Sequence, residues 1–315
     1  MANPEPADAI SRAAEALRGL ASHQDETEDP TSRMSFFDHL EELRTRILYA
    51  LAAIGVGVVL GFSWAEPAYN FLSQPVYDAL RAAGLPEKLT YISPLGPARL
   101  LISVGLYLGV LIASPVVMYQ VWLFVAPGLY RNERKAVTGF LFSSVFLFLA
   151  GTAFAYYVML PITLRFLIGF GAFDPRITPM ITMNEYLDFV LVVLLGLGVI
   201  FQLPILIFIL SLFNIVTPKF LWNNFRYAVL IIAIIAAVVT PTTDVITMGV
   251  FMAPMLLLYV VGIGVSAVVV RDKRIAAGEQ VTSGAVITGW ISLIAILGGL
   301  GWAVYRFGWW KRIRW

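Results

Sequence analysis

Long apolar segments separated by short polar ones run through most of the chain. An α-helix that crosses a bilayer needs about 20 predominantly apolar residues. Six segments reach or approach that length: 46–65, 99–121, 136–160, 187–213, 226–241 and 246–270. A further apolar stretch, 284–304, is long enough to cross as a seventh helix. The pattern predicts an all-α polytopic membrane protein with six transmembrane helices and an additional C-terminal hydrophobic helix.

The fifth apolar segment is shorter than the others, and the sixth follows it after a brief turn. We expect these two to form a hairpin that enters from one side and does not reach a full bilayer thickness. Local thinning of the lipid is the usual response to such a mismatch.

Proline and glycine positions suggest how the spans bend and pack. Prolines inside a span remove a helix hydrogen bond and bend the helix, and small residues four apart allow two helices to approach closely. The prolines in question are Pro115, Pro204 and Pro254, and the glycine pairs are Gly57 with Gly61 and Gly105 with Gly109. The prolines predict curved helices that form a concave wall, in a cup-like arrangement, whereas the glycine pairs fit close helix contacts and do not decide the arrangement.

Basic residues set the expected orientation, because loops on the cytoplasmic side carry an excess of Lys and Arg. One set of flanks holds Arg33, Arg44, Arg46, Arg131, Arg134, Lys135, Lys219, Arg226, Arg271, Lys273 and Arg274. The opposite set holds only Arg81, Lys88, Arg99, Arg165 and Arg176. The N-terminus is therefore expected in the cytoplasm. A crossing by segment 284–304 would carry the last bases outward, against this rule, and four tryptophans around it would anchor that end.

The two outer connections are long, 66–98 and 161–186, and contain prolines that include Pro75. We expect them to be folded caps because such loops rarely stay unstructured. The segment 1–33 is polar and acidic, which predicts a disordered cytoplasmic extension. The chain thus divides into that extension, a six-span core over 34–274, and a linker with the last apolar helix over 275–315.

Composition excludes several classes of function and leaves the predicted architecture unchanged. The 315 residues are 59% apolar and 13% charged, with a net charge of +2 that implies no nucleic acid. Cysteine is absent, which excludes thiol catalysis and thiolate metal sites. The two histidines precede the first span, so intramembrane histidine catalysis or metal binding is not expected. No enzyme activity, cofactor or metal site is predicted.

Two acids occur among bases and rings at the cytoplasmic ends of spans. Segment 34–46 has apolar residues at helical spacing and leads into the first span, which predicts an amphipathic interfacial helix. Glu42 lies on it, and its simplest role is an ion pair with Arg46 one turn on. Glu133 lies in the loop that follows the second span, where a solvated surface charge is the simplest alternative. Both acids are candidates to receive a charged peptide.

These segments resemble the TatC family, the multi-spanning subunit of the twin-arginine protein translocase. Residues 39–46 match its H-L-x-E-L-R-x-R opening, and 114–134 match its S-P-x-x-x-Y-Q-x-W-x-F-x-x-P-x-L-Y-x-x-E-R signature. Residues 201–204 and 240–244 fall where the family has F-E/Q-x-P and T-P-x-x-D. The resemblance covers 34–274 in the right order and spacing.

The resemblance implies a receptor in the bacterial cytoplasmic membrane that exports folded proteins by use of the proton gradient. Its ligands would be signal peptides carrying an Arg-Arg pair, and its partners small single-span subunits of the TatA/TatB type and further copies of itself. Matching positions imply a signal-peptide site, in which the acids contact the arginines and the other residues shape the site or hold the acids. Its members are Glu42, Arg44, Phe124, Tyr130, Glu133 and Arg134.

The resemblance implies a role for two further positions, and each of them also has a simpler structural explanation. Gln202 lies inside the fourth span, where the family often has a Glu that contacts a partner helix. Its simplest role is a hydrogen bond to a neighbouring helix, and glutamine cannot titrate. Asp244 follows the outer turn and would cap the sixth span. Val260 stands where many relatives have an acid.

Two other classes of function compete with a receptor. A secondary transporter for a small solute needs ionisable groups or broken helices at mid-membrane. Apart from Gln202, the spans offer only Asp188 near an end of the fourth. An intramembrane hydrolase would need two buried aspartates, and Asp188 and Asp244 lie near outer ends. Both classes are less well supported than the receptor.

Overall fold

A computed structural model describes residues 36–125, 137–171, 180–240 and 245–276. The chain divides into two compact units after Leu48. The first is described over 36–48, and the second begins at Tyr49. All the described secondary structure is helical, apart from one isolated β-bridge. The predicted extension 1–33 and the apolar segment 284–304 lie outside the described residues.

Eleven α-helices and one π turn make up the described ranges. In chain order they are α1 (Phe36–Ser63), α2 (Ala65–Leu72), α3 (Gln74–Ala82), α4 (Gly96–Val125), α5 (Val137–Phe154), the π turn (Ala155–Met159), α6 (Leu160–Gly171), α7 (Met183–Ile200), α8 (Leu203–Leu212), α9 (Pro218–Asn223), α10 (Phe225–Val239) and α11 (Val245–Ala276).

Five helical segments of the described chain are long and apolar enough to cross a membrane: Asp38–Ser63, Gly96–Val125, Leu141–Gly169, Met183–Leu212 and Val245–Arg271. They coincide with predicted spans one to four and six, which confirms the all-α polytopic fold class. The third runs about ten residues further than the sequence pattern suggested, because α6 continues it beyond the π turn.

The fifth span is the short one. Helix α10 has 15 residues, so it is about 22 Å long at 1.5 Å per residue. The hydrocarbon layer of a bilayer is about 30 Å thick. Helix α11 has 32 residues, and the expectation that both limbs of this hairpin fall short is therefore wrong for α11. Of the two limbs of the hairpin, only α10 is too short to cross the hydrocarbon layer.

The prolines inside the spans have unequal effects. Helices α4 and α11 run through Pro115 and Pro254 without interruption. The fourth span instead breaks at Phe201 and Gln202, one residue before the turn of α8 that holds Pro204. Proline is readily accommodated in the first turn of a helix because its missing N–H has no partner there. The bend in span four thus becomes a junction between two helices.

Glycines bring α1 and α4 into close contact. A Cβ on Gly57 would meet the carbonyl oxygen of Gly109, and one on Gly61 would lie 2.5 Å from that of Gly105. These neighbours are backbone atoms, which a side chain cannot displace cheaply. The two predicted glycine pairs therefore face each other, and the contact they were expected to allow is confirmed.

The connection between α1 and α4 is a folded cap, as expected. Helices α2 and α3 lie in it, and Thr90 forms a parallel bridge with Thr182 just before α7. Tyr156 of the π turn donates a hydrogen bond of 2.7 Å to the carbonyl oxygen of Phe71, and Tyr186 donates one of 2.7 Å to that of Leu72. The two hydroxyls satisfy carbonyls at the C-terminus of α2, which helix geometry leaves without intrahelical partners.

Candidate functional site

Glu42 lies in the second turn of α1 and is paired along its own helix. Its Oε1 accepts a hydrogen bond of 3.0 Å from Nη2 of Arg46, one turn further on. The side chains are 15% and 27% exposed, respectively. The simplest sequence interpretation, an i, i+4 pair, is confirmed. Arg44 points to the exposed side of the helix and forms no ion pair with a described residue.

The pairing of Glu42 is incomplete. Its second oxygen, Oε2, is buried and has no hydrogen-bond partner among the described residues. Nε of Arg46 is likewise buried and without a partner there. A buried polar atom without a partner costs on the order of 1–3 kcal/mol, and more when it belongs to a charged group. The carboxylate therefore retains the capacity to accept a further cationic donor.

The remaining predicted members of the site divide into two groups. Phe124 is half-buried in the last turn of α4. Tyr130, Glu133 and Arg134 lie outside the described residues, so their relation to Glu42 stays a prediction. Of the six predicted members, the structure therefore describes Glu42 and Arg44 on α1 and, separately, Phe124 on α4.

Gln202 occupies the break in the fourth span and binds a neighbouring helix. Its Nε2 donates a hydrogen bond of 2.9 Å to the carbonyl oxygen of Ser144 in α5. The hydroxyl of the same serine accepts a bond of 2.8 Å from Nε1 of Trp122 in α4. Ser144 therefore joins three spans through two different oxygen atoms. The interhelical hydrogen bond was the simplest sequence interpretation of Gln202, and it is present.

Of the three residues expected from the sequence on the outer side, the structure describes two, Pro75 and Asp188. Pro75 is buried in the first turn of α3, where proline is well suited to the helix start. Asp188 pairs with Arg99 at 3.1 Å, and both side chains are largely exposed. Asp188 is thus a surface ion-pair partner that joins α7 and α4 near their N-terminal ends, not a buried group in the middle of a span. Asp244 lies outside the described residues.

A second exposed ion pair lies at the end of α3 and in the loop after it. Arg81 donates hydrogen bonds of 2.8 and 2.7 Å to the two carboxylate oxygens of Glu87. These bonds hold the pKa of Glu87 below its usual value. Arg81 and Glu87 are well exposed, so the pair contributes little to stability. Within the described ranges no three acidic or histidine side chains are grouped as they would be around a metal ion.

Sequence reasoning missed the partners that depend on tertiary packing. Ser144, Tyr156 and Tyr186 each make a contact described above, yet none of them was named from the sequence, and Arg99 was named only for its charge. For Ser144 the only available signal was a small polar residue in an otherwise apolar span. The tyrosines gave no signal, since aromatic residues are common near membrane boundaries.

The described residues define a multi-spanning α-helical membrane protein. Gln202 and Trp122 inside the spans bind Ser144 of a neighbouring helix, and an incompletely paired carboxylate lies near the start of the first span. The family model described as "Sec-independent protein translocase protein (TatC)" matches residues 38–254. The chain belongs to this TatC family, as the sequence motifs indicated.

Individual relatives agree with the family match. The chain is 46% identical over 241 residues to the Sec-independent protein translocase protein TatC of Koribacter versatilis, covering 76% of this chain and 88% of that one. It is 34% identical over 242 residues to the TatC protein of Aquifex aeolicus, covering 76% and 98%. A crystal structure of the twin arginine translocase receptor TatC superposes with a TM-score of 0.67 at 33% identity, covering 74% of this chain and all of that one.

Proposed function

We propose that this protein is the signal-peptide receptor and core subunit of a twin-arginine translocase that exports folded proteins. The observation that carries the proposal is the partly paired carboxylate of Glu42 on a helix that matches the family's opening motif. Membership in a family of protein translocase components supports it. Glu133, Tyr130, Phe124, Arg44 and Arg134 complete the proposed site.

The chemistry of Glu42 suits an arginine ligand. A guanidinium is always charged and presents a planar fork of N–H groups that a carboxylate accepts through two parallel bonds. Glu42 already engages one oxygen with Arg46, and its other oxygen is free to accept. An incoming arginine would bind the free oxygen and compete with Arg46 for the first. Two acids, Glu42 and Glu133, would match two consecutive arginines.

The wider assignment follows the family. The protein would lie in the bacterial cytoplasmic membrane with its N-terminus in the cytoplasm, which the distribution of bases supports. It would act with small single-span subunits of the TatA/TatB type and with further copies of itself, driven by the proton gradient. A solute transporter has no specific observation in its favour, because Asp188 is exposed and paired with Arg99.

The test compares Glu42→Ala with Glu41→Ala. Glu41 is the adjacent acid and is exposed, so the control removes the same charge from the same turn. Because a hydrogen bond to a charged group contributes roughly 1.5–3 kcal/mol, we expect Glu42→Ala to weaken binding of an Arg-Arg signal peptide about 10- to 100-fold. Binding would be measured by photocrosslinking of a peptide titrated onto the full chain in membranes, with a Lys-Lys peptide for comparison.

Glu133→Ala should produce a loss of similar size, and Glu41→Ala little change. Equal losses for Glu41→Ala and Glu42→Ala would mean that the binding reflects only general negative charge. Unchanged crosslinking in the Glu42→Ala, Glu133→Ala double variant would contradict the site assignment.

A further inference from the structure

The segment between the fourth and fifth spans carries rings and bases on a short helix. We call residues 213–227 the aromatic–basic segment; it contains α9 and the first turn of α10. Its sequence is Phe-Asn-Ile-Val-Thr-Pro-Lys-Phe-Leu-Trp-Asn-Asn-Phe-Arg-Tyr. No Asp or Glu occurs between Asp188 and Asp244, so the segment and the two helices that flank it are without acids.

Specific contacts fix α9 in place. Thr217 caps its N-terminus by accepting a hydrogen bond of 3.2 Å from the backbone N–H of Phe220. Leu221 is buried, and its carbonyl oxygen accepts a bond of 2.9 Å from the hydroxyl of Tyr259 in α11. Phe225 packs beside the Tyr259 ring with centroids 5.9 Å apart. These contacts attach one side of α9 to the sixth span. They therefore also fix which side chains of the helix face away from that span.

The aromatic–basic segment exposes large apolar groups on and just before α9. Ile215 is 65% exposed, Phe220 54% and Trp222 63%. The segment connects the end of one membrane-crossing helix to the start of the next, so these side chains lie at the boundary of the bilayer. Tryptophan and other aromatic residues favour this depth, where an apolar ring meets polar headgroups. The lipid interface is therefore the environment in which this face is covered.

Two exposed bases accompany these rings. Lys219 lies in α9 and Arg226 in the first turn of α10, and neither forms an ion pair with a described residue. The guanidinium of Arg226 lies over the Tyr227 ring, 4.8 Å from its centroid, and donates a hydrogen bond of 3.0 Å to the Tyr227 hydroxyl. Tyr227 holds the cation without neutralising it. The two bases carry positive charge, and no acidic residue of the segment neutralises it. The segment is therefore complementary to an anionic group.

We propose that the aromatic–basic segment binds anionic phospholipid, with Lys219 and Arg226 on the headgroup phosphate and Phe220 and Trp222 beside the acyl chains. A lipid bound at this site would lie beside the end of the short helix α10, where the bilayer has to become thinner. This inference requires only that the helices cross a membrane, and it is independent of the proposed signal-peptide site. Its failure would leave the receptor function untouched, and the converse also holds.

The test uses the full chain purified in a mild, uncharged detergent. Native mass spectrometry would count bound short-chain phosphatidylglycerol and phosphatidylcholine for the wild type and for Lys219→Gln, Arg226→Gln. Each base near an anionic lipid surface contributes about 1 kcal/mol, or roughly fivefold. We therefore expect the double variant to bind phosphatidylglycerol at least about tenfold more weakly, with phosphatidylcholine binding unchanged. Both side chains are exposed, so folding should be unaffected.

The matched control is Lys88→Gln, Arg165→Gln, which removes two exposed bases from the opposite end of the spans. We expect it to retain phosphatidylglycerol binding. An equal loss in the control, or no loss in Lys219→Gln, Arg226→Gln, would overturn the proposal. Displacement of the lipid by millimolar inorganic phosphate would also overturn it, because the site would then be one for a free anion.

A second measurement locates the lipid. In nanodiscs, phosphatidylglycerol with brominated acyl chains should quench tryptophan fluorescence more in the wild type than in Trp222→Phe, and the difference should shrink in Lys219→Gln, Arg226→Gln. Brominated phosphatidylcholine should give a smaller difference. Equal quenching of Trp222 by the two lipids would contradict preferential binding of the anionic one.

Discussion

Gln202 uses an acceptor that does not depend on the neighbouring side chain. It donates to the backbone carbonyl of Ser144, whereas Trp122 donates to the hydroxyl of that serine. Any residue at position 144 would supply the carbonyl, but only a hydroxyl-bearing one would serve Trp122. Because glutamine carries no titratable proton, its role in this protein is that of a hydrogen-bonding group at the break in span four.

The replacement Gln202→Leu keeps the size of the side chain and removes its donor. We expect a loss of stability of roughly 0.6–2 kcal/mol, the usual contribution of a hydrogen bond between membrane helices. The measurement is the thermal unfolding midpoint in detergent. Signal-peptide binding should stay unchanged, since Gln202 lies in the span and not at its end.

The matched variant Ser144→Ala keeps the carbonyl that Gln202 uses and leaves the buried indole N–H of Trp122 without its acceptor. Its destabilisation should be at least as large, about 1–3 kcal/mol. A midpoint for Gln202→Leu equal to that of the wild type would contradict the structural role assigned to Gln202.

Residue-scale contacts were predictable only where the partners are close in sequence. The spacing of Glu42 and Arg46 gave their ion pair directly, because residues four apart are neighbours on a helix. The acceptor of Gln202 is 58 residues away and the partner of Asp188 is 89 residues away. Such pairs depend on which helices pack together and at what height, which the sequence of one helix does not contain.

At the scale of elements, the contact of α1 with α4 depends on the absence of side chains. Gly57→Ala would place a Cβ against the carbonyl oxygen of Gly109, a backbone atom of the other helix. Overpacking of this kind usually costs about 1–3 kcal/mol. We expect a lower unfolding midpoint in detergent, because the helices must separate.

Gly55→Ala is the control for this prediction. It lies two residues away on α1, and a Cβ there would meet nothing within 4 Å. Since alanine is about 1 kcal/mol better than glycine in a helix, this variant should be neutral or slightly stabilised. A midpoint for Gly57→Ala as high as that for Gly55→Ala would show that α1 and α4 can separate without loss.

The folded cap between α1 and α4 depends on two tyrosine hydroxyls. Tyr156→Phe and Tyr186→Phe would each leave a carbonyl at the end of α2 without its donor, while the rings stay in place. We expect faster amide hydrogen exchange in α2 and α3, by roughly 5- to 10-fold for a loss of about 1 kcal/mol per bond. Hydrogen exchange followed by peptide mass spectrometry would measure it.

Tyr157→Phe provides the comparison, because Tyr157 is the adjacent residue in the π turn and is partly exposed. Its ring meets Tyr156 edge-on, with centroids 4.9 Å apart, and phenylalanine preserves that contact. Exchange in the cap should match the wild type. Equal acceleration by Tyr157→Phe would show that the effect does not depend on the two hydrogen bonds to α2.

For the whole molecule, the short helix α10 is the feature with the widest effect. Its length of about 22 Å leaves its ends inside a bilayer of ordinary thickness unless the lipid thins around it. The chain has no native cysteine, so single cysteines can be introduced without background. We expect cysteines at Tyr227 and Val238 to react with a water-soluble maleimide applied to both sides of the membrane.

A cysteine at Ile234, in the middle of the same exposed face, should be protected, as should one at Val199 in the full-length fourth span. All three side chains on α10 are well exposed on the protein, so differences in labelling report their lipid environment. Protection at both Tyr227 and Val238 would show that lipid covers the whole helix and that the bilayer does not adapt.

The sequence predicted the spans well and their interruptions poorly. Apolar length identified every described span, including the short fifth, because bilayer thickness imposes it. Pro115, Pro204 and Pro254 were all expected to bend a helix, yet of these three only Pro204 lies beside a break. Pro161 lies two residues after the π turn of span three, but the apolar pattern assigned it to the connection that follows the span. Such details depend on neighbouring helices, which supply or withdraw hydrogen-bond partners.

The π turn has one consequence for how span three is built. Its five residues accommodate one residue more than a regular helix would over the same length. Because the wide turn absorbs the extra residue, the stripe Leu160, Leu164 and Ile168 stays on the buried side of α6. If the same residues were wound as a regular helix, everything after the turn would be rotated by about 100° about the axis, and this stripe would face the lipid. A single wide turn thus decides which neighbours the far half of that helix meets.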